Sequence, residues 1–81
     1  MPSKPASFIL YHTDVCHLCE LAMALIDKTG IEYIKSDICD DSELAEQYGT
    51  RIPVLKLCNT NKELDWPFDS NALDNFFRSF T

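Results

Sequence analysis

The sequence predicts one α/β domain built on a four-stranded mixed sheet with helices packed on its faces. Three observations carry this expectation. Short apolar runs bounded by turn residues alternate with stretches whose apolar residues recur at helical spacing. The first two strand-like runs are joined through such a helix, which makes them parallel with a right-handed crossover. The third and fourth are separated by Asn59-Thr60-Asn61, a turn that makes them an antiparallel hairpin. The order is therefore β-α-β-α-β-β-α.

Each element has its own signal. Ser7-Phe8-Ile9-Leu10-Tyr11 is a nearly continuous apolar run, the pattern of a strand covered on both faces. From about Cys16 to Thr29, Leu18, Leu21, Ala22, Leu25 and Ile26 fall at helical spacing. Thr13 or Asp14 can cap that helix, and Lys28 and Gly30 mark its end. Glu32 to Asp37 reads as a second strand with Tyr33 and Ile34 as its apolar members. Lys35 and the polar flanks put it at a sheet edge. Asp40 followed by Glu43 forms a capping box for a short helix, Ser42 to Tyr48, closed by Gly49. Val54 to Cys58 and Lys62 to Trp66 are the hairpin strands. In the last helix Asp69 is the N-cap, and Phe68 and Leu73 have the spacing of a hydrophobic staple. Leu73, Phe76, Phe77 and Phe80 form one stripe at i, i+3, i+4 and i+7, which reads as core and not as a cofactor site.

Composition narrows the function classes. With 81 residues the chain fits one domain, 1–81, with a modest core, and 46% hydrophobic content is too much for a disordered chain. Seven Lys and Arg against thirteen Asp and Glu give a net charge of −6. Clustered basic residues are absent, which argues against nucleic acid as a main partner and against attachment to an anionic membrane. No apolar run approaches the roughly 20 residues that span a bilayer. Met1 to Ser7 lacks the apolar core of an export signal, so a cytoplasmic location is expected, and a monomer is the default expectation. Four cysteines in such a compartment are read as catalytic, metal-binding or buried, not as a structural disulfide framework.

Cys16-His17-Leu18-Cys19 carries the chemistry. It follows the first strand and opens the first helix. Thiolate is the nucleophile of disulfide exchange, and a free thiol at neutral pH is mostly protonated. Unpaired amides and the positive dipole end in a helix's first turn favour the sulfur anion. The i, i+3 spacing puts Cys19 on the same helix face, where it can resolve a mixed disulfide formed at Cys16. A protonated His17 would favour the Cys16 thiolate further, while Asp14 and Glu20 act against it. The rival reading is half a zinc site. It lacks a second close pair of ligands, since Cys39 and Cys58 are separated by a helix and a strand, so no metal is expected. Acidic and hydroxyl neighbours suppress a role for Cys39, and Cys58 reads as a small hydrophobe ending a strand. Arg51-Ile52-Pro53-Val54 is the second feature. Pro53 is either an ordinary strand-entry proline or the second residue of a cis bond that turns the backbone of Ile52 toward an extended substrate. With the cysteine pair ahead of it the second reading is preferred. Trp66 either lies at the mouth of the site or, the preferred reading, caps the fourth strand against the last helix.

These features together resemble the thioredoxin superfamily. The short length resembles glutaredoxins within it. The segments from Leu10 to Ala22, with Cys16 and Cys19, and from Tyr48 to Leu55, with Ile52-Pro53-Val54, look most like the small bacterial glutaredoxin-like family. The resemblance implies a three-layer thioredoxin-like fold, with Cys16 as exposed nucleophile and Cys19 as the more buried resolving thiol. It also implies that Pro53 is the cis-proline and that the backbone of Ile52 meets glutathione or a peptide. The chain departs from glutaredoxins in two places. They usually carry a Lys before the motif, where this chain has His12-Thr13-Asp14, and a Gly-Gly pair before the last helix, where it has Trp66-Pro67-Phe68-Asp69-Ser70. Arg51 could still supply a positive charge, and Asp69 and Ser70 a helix N-terminus, to an anion. Glutathione, as co-substrate, is therefore expected to bind weakly, and protein disulfides are the expected partners. No other cofactor is expected. The alternative is a non-enzymatic module of the same fold that binds a partner protein or a metal.

Overall fold

Strand β1 (Phe8–His12) lies inside the sheet and presents apolar side chains to both faces, as its unbroken apolar run requires. The structure, a computed structural model, describes residues 8–14, 16–58 and 60–78. After β1 come α1 (His17–Asp27), β2 (Tyr33–Asp37), a 3₁₀ turn (Ile38–Asp40) and α2 (Ser42–Tyr48). The chain then forms β3 (Val54–Leu57), β4 (Glu63–Asp65) and α3 (Ser70–Arg78). The sheet order is β2-β1-β3-β4. β1 and β2 are parallel, and the β1–β3 and β3–β4 pairs are antiparallel. This is the expected mixed α/β fold, with β2 at an edge. Its outward-facing Ile34 is 51% exposed, and Lys35 beside it is also exposed.

Alternation along the strands divides the interior in two. Phe8, Leu10 and Leu55 face Ala22 and Ile26 of α1 and Phe68 and Leu73 of the α3 segment. On the other face Tyr11 and Val54 pack with Ile38 and Tyr48, flanked by Ile9, Leu44 and Ile52. One layer of helices, α1 and α3, thus covers one face and α2 the other. The staple forms as expected, with Phe68 and Leu73 both buried. Phe76 and Phe77 of the stripe pack against the same cluster. Phe80, like Ser7 and Asn59, lies outside the described residues.

Several boundaries differ from expectation for identifiable reasons. Helix α1 is capped by Cys16 and not by Thr13 or Asp14, because the Cys16 sulfur accepts the Cys19 amide at 3.1 Å. Asp41, not Asp40, caps α2. Its carboxylate accepts the Glu43 amide at 2.9 Å, while Asp40 belongs to the preceding 3₁₀ turn. Gly30 has φ +73°, the left-handed geometry that glycine tolerates. Gly49, by contrast, closes α2 with φ −54° in the right-handed region. Cys58 sits in the turn after β3, half-buried, and does not end the strand. Trp66 packs edge-to-face on Phe68, ring centroids 5.0 Å apart, at the end of β4. The Asp69 cap is testable: Asp69→Ala is expected to lower stability by about 1 kcal/mol in urea unfolding, through loss of one amide partner.

Candidate active site

The topology gathers the motifs at one end of the sheet. β1 leads out toward Cys16, and the register pairs His12 with Asp37 and Tyr11 with Val54. The chain entering β3 through Ile52 and Pro53 therefore lies beside the segment leaving β1. β4 runs parallel to β1, so Trp66 to Asp69 leave the sheet at the same end, and the Trp66 amide donates to the Pro53 carbonyl at 3.1 Å. The N-termini of α1 and α3 consequently share this end with the loop after β2.

Cys16 and Cys19 are joined in a disulfide, with Cα atoms 5.1 Å apart. Cys16 is half-buried, whereas Cys19 is 1% exposed. A thiol arriving from solvent therefore reaches Cys16 first. The Cys16 backbone is extended (φ −113°, ψ 105°), which turns its sulfur over the open first turn of α1. His17 is the first helical residue and is exposed, as is Glu20 one turn on. The hydroxyl of Thr13 and the sulfur of Cys39 are 3.1 Å apart, which brings the third cysteine to the same end of the sheet.

The Ile52–Pro53 bond is cis, and so is Trp66–Pro67. Pro53 is buried and Ile52 half-buried. The Ile52 amide is not open to a substrate, because it donates to the Tyr48 carbonyl at 3.1 Å, as the Arg51 amide does at 2.8 Å. The Arg51 side chain is also committed. Its Nη2 lies 2.5 Å from Glu63, and Nε and Nη2 reach the Asp65 carboxylate at 3.2 and 2.9 Å. These acceptors, Asp65 before Glu63, hold the guanidinium charged more firmly than usual. It also lies 5.0 Å over the Tyr48 ring. The Tyr48 hydroxyl donates to Glu63, and the ring stacks on Tyr11 with centroids 4.3 Å apart. Burial, then the Glu63 contact, pushes the Tyr48 phenol up. Burial alone would raise Glu63, but the hydrogen bonds from Tyr48 and Arg51 outweigh it and leave the carboxyl below its ordinary value.

Asp69 and Ser70 are both exposed, at the start of α3. One of the amides an anion would seek there is already taken, since Asp69 Oδ1 accepts from Ala72 at 2.8 Å. Beside it Pro67, Phe68, Asp69 and Ala72 line an open cleft of about 380 Å³. Among the described residues no group of three His, Cys, Asp or Glu side chains could hold a metal ion. No helix among them is long and apolar enough to cross a membrane.

The sequence reading missed the Arg51–Glu63–Asp65–Tyr48 cluster. A signal was present: Glu63 and Asp65 are two apart and so share one face of β4. Once the hairpin register sets Asp65 opposite Val54, that face comes within reach of Arg51.

The model of the Glutaredoxin-like domain (DUF836) matches residues 7–78. Among solved structures, a structural-genomics target protein from X. campestris is similar to this chain. Its X-ray structure shares 37% identity with a TM-score of 0.78, covering 89% of this chain and 96% of that one. Its solution structure shares 38% identity with a TM-score of 0.79, covering 90% and 94%. Protein Ne2328 from Nitrosomonas europaea is 27% identical with a TM-score of 0.74, covering 94% of this chain and 95% of its own. No curated protein matches.

Proposed function

Because the chain belongs to the glutaredoxin-like domain family, we propose that it is a thiol–disulfide oxidoreductase working through Cys16 and Cys19. The observation that carries this reading is the placement of the Cys16 sulfur. It is the N-cap of α1, accepts an amide N–H, and is bonded to a buried partner one turn away. In the reduced protein the same amides and the helix dipole favour the Cys16 thiolate. That thiolate attacks one sulfur of a substrate disulfide. A Cys16–substrate S–S bond forms, and the other substrate sulfur leaves as a thiolate that takes a proton from water. Cys19, having lost its proton to solvent, then attacks Cys16 Sγ and closes the intramolecular bond, and the substrate's second sulfur leaves and is protonated. Two electrons pass from the dithiol to the substrate. His17 tunes Cys16 when protonated, and Asp14 and Glu20 oppose it.

Protein disulfides suit this site better than glutathione. The positive charge of Arg51 is occupied by Glu63 and Asp65, and the carboxylate of Asp69 takes the place an anion would use. An extended chain docking beside Pro53 would use the carbonyl of Ile52, whose amide is engaged. Cys39 and Cys58 take no part in the disulfide, and in this reading the protein acts as a monomer in the reducing cytoplasm.

The test is titration of reduced Cys16 together with turnover of a peptide disulfide, with Cys16→Ser and Cys19→Ser as controls. Cys16 is expected to titrate below the roughly 8.5 of a free thiol, the peptide to be reduced, and glutathione mixed disulfide to bind more weakly than it does to ordinary glutaredoxins. A Cys16 that titrates like a free thiol and reduces no disulfide would leave a binding module as the reading.

A further inference from the structure

Charge is distributed unevenly between the two ends of the sheet. Asp14, Glu20, Asp40, Asp41 and Asp69 are all exposed, on the segments that leave β1, β2 and β4 at the end of the sheet that holds Cys16. Most of the described cations lie elsewhere. Lys28 ends α1, Lys62 precedes β4 and Arg78 ends α3, all toward the opposite end. Lys56 pairs with Ile9 near the start of β1, and Lys35 lies midway along β2. Among the described lysines and arginines Arg51 alone stands at the redox end, and two carboxylates neutralise it.

One further feature lies at the same end of the sheet. The cleft at Pro67, Phe68 and Ala72 has apolar walls and one carboxylate, Asp69, among its lining residues. A lysine or arginine side chain has the matching form, an apolar stem ending in a cation.

Resting on the redox reading of Cys16 and Cys19, we infer that the preferred substrate is a disulfide in a basic protein segment. Lysine or arginine near its cysteine faces the acidic rim and the α3 cleft. The rim steers cationic partners in and repels anionic ones, which sets specificity mainly through association rate.

Three peptide disulfides of equal length test this, with the cysteine flanked by Lys, Gln or Glu. At low ionic strength kcat/KM is expected to fall in that order, with Lys over Glu by about tenfold or more. The spread should contract in about 1 M salt, where charges are screened beyond about 3 Å. The combined substitution Asp14→Asn, Glu20→Gln and Asp40→Asn should bring the Lys-to-Glu ratio toward one. The ratio is the readout because these carboxylates also act on the Cys16 thiolate, an effect common to all three peptides. Equal rates, a reversed order, or a ratio that neither salt nor the substitutions reduce would overturn the inference while leaving the redox reading intact. Failure to reduce any of the three, the neutral peptide included, would remove both. If the triple variant does not fold, the salt series on the unaltered protein decides.

Discussion

Cys19→Ser is expected to stop after the first exchange and stay covalently joined to its substrate through Cys16, whereas Cys16→Ser forms no adduct and reduces nothing. The asymmetry follows from geometry. Cys16 is half-buried with its sulfur over the open turn of α1, while Cys19 is 1% exposed and reaches only its neighbour. Removing Cys19 leaves the nucleophile and its amide environment in place but takes away the intramolecular thiol that releases the product. Turnover of a peptide disulfide should then drop to the background of free thiols in both variants. Intact mass after mixing with the oxidised peptide separates them, since only Cys19→Ser gains the mass of one half-peptide. Digestion must place the adduct on Cys16, because Cys39 is exposed and free at the same end of the sheet. An adduct confined to Cys39 would reassign the nucleophile.

What was legible in the sequence was local or periodic. The apolar run of β1, the i, i+3, i+4 stripe of α3, the staple of Phe68 and Leu73 and the polar edge of β2 each follow from spacing alone, and element order then fixed the sheet. What was hidden depended on competition between neighbours or on register. Thr13 and Asp14 are better N-cap types than cysteine, so nothing local revealed that Cys16 would cap its own helix. Asp40 and Asp41 are adjacent equivalents, and the extra 3₁₀ turn shifted the cap from one to the other. The fate of Arg51 was the costliest omission for function. A lone arginine before the proline reads as an anion site until the β3–β4 register brings Glu63 and Asp65 onto it. Asp69 was legible as an N-cap, and that identification already implies that its carboxylate occupies the helix end.

Tyr48 joins the second core cluster to the site. Its ring is 1% exposed and stacked on Tyr11, its hydroxyl serves Glu63, and its carbonyl accepts the amides of Arg51 and Ile52. Tyr48→Ala is expected to lower stability by about 3–5 kcal/mol, the range for emptying a buried aromatic site. A domain of this size has only about 4–12 kcal/mol in total, so the urea midpoint should fall by about a quarter or more. Tyr48→Phe keeps the ring and removes one hydrogen bond to a carboxylate, with an expected loss of about 1.5–3 kcal/mol at neutral pH. The pH dependence of that loss identifies its origin. Burial opposes ionisation of Glu63, yet the hydrogen bonds from Tyr48 and Arg51 hold its folded-state value below the unfolded one. A depressed carboxyl stabilises the fold above its unfolded value, near 4.3, and that contribution disappears as pH falls through the lower folded value. The gap between the unaltered protein and Tyr48→Phe, measured by urea unfolding, should therefore be widest at about pH 6 and narrow toward about pH 2. A gap of equal size at both would mean that the hydroxyl is not acting through the charge of Glu63. Because Arg51 stays paired with Asp65 in this variant, discrimination against anionic substrates should survive the substitution even as the fold weakens. Stability would then fall at Tyr48 while specificity holds.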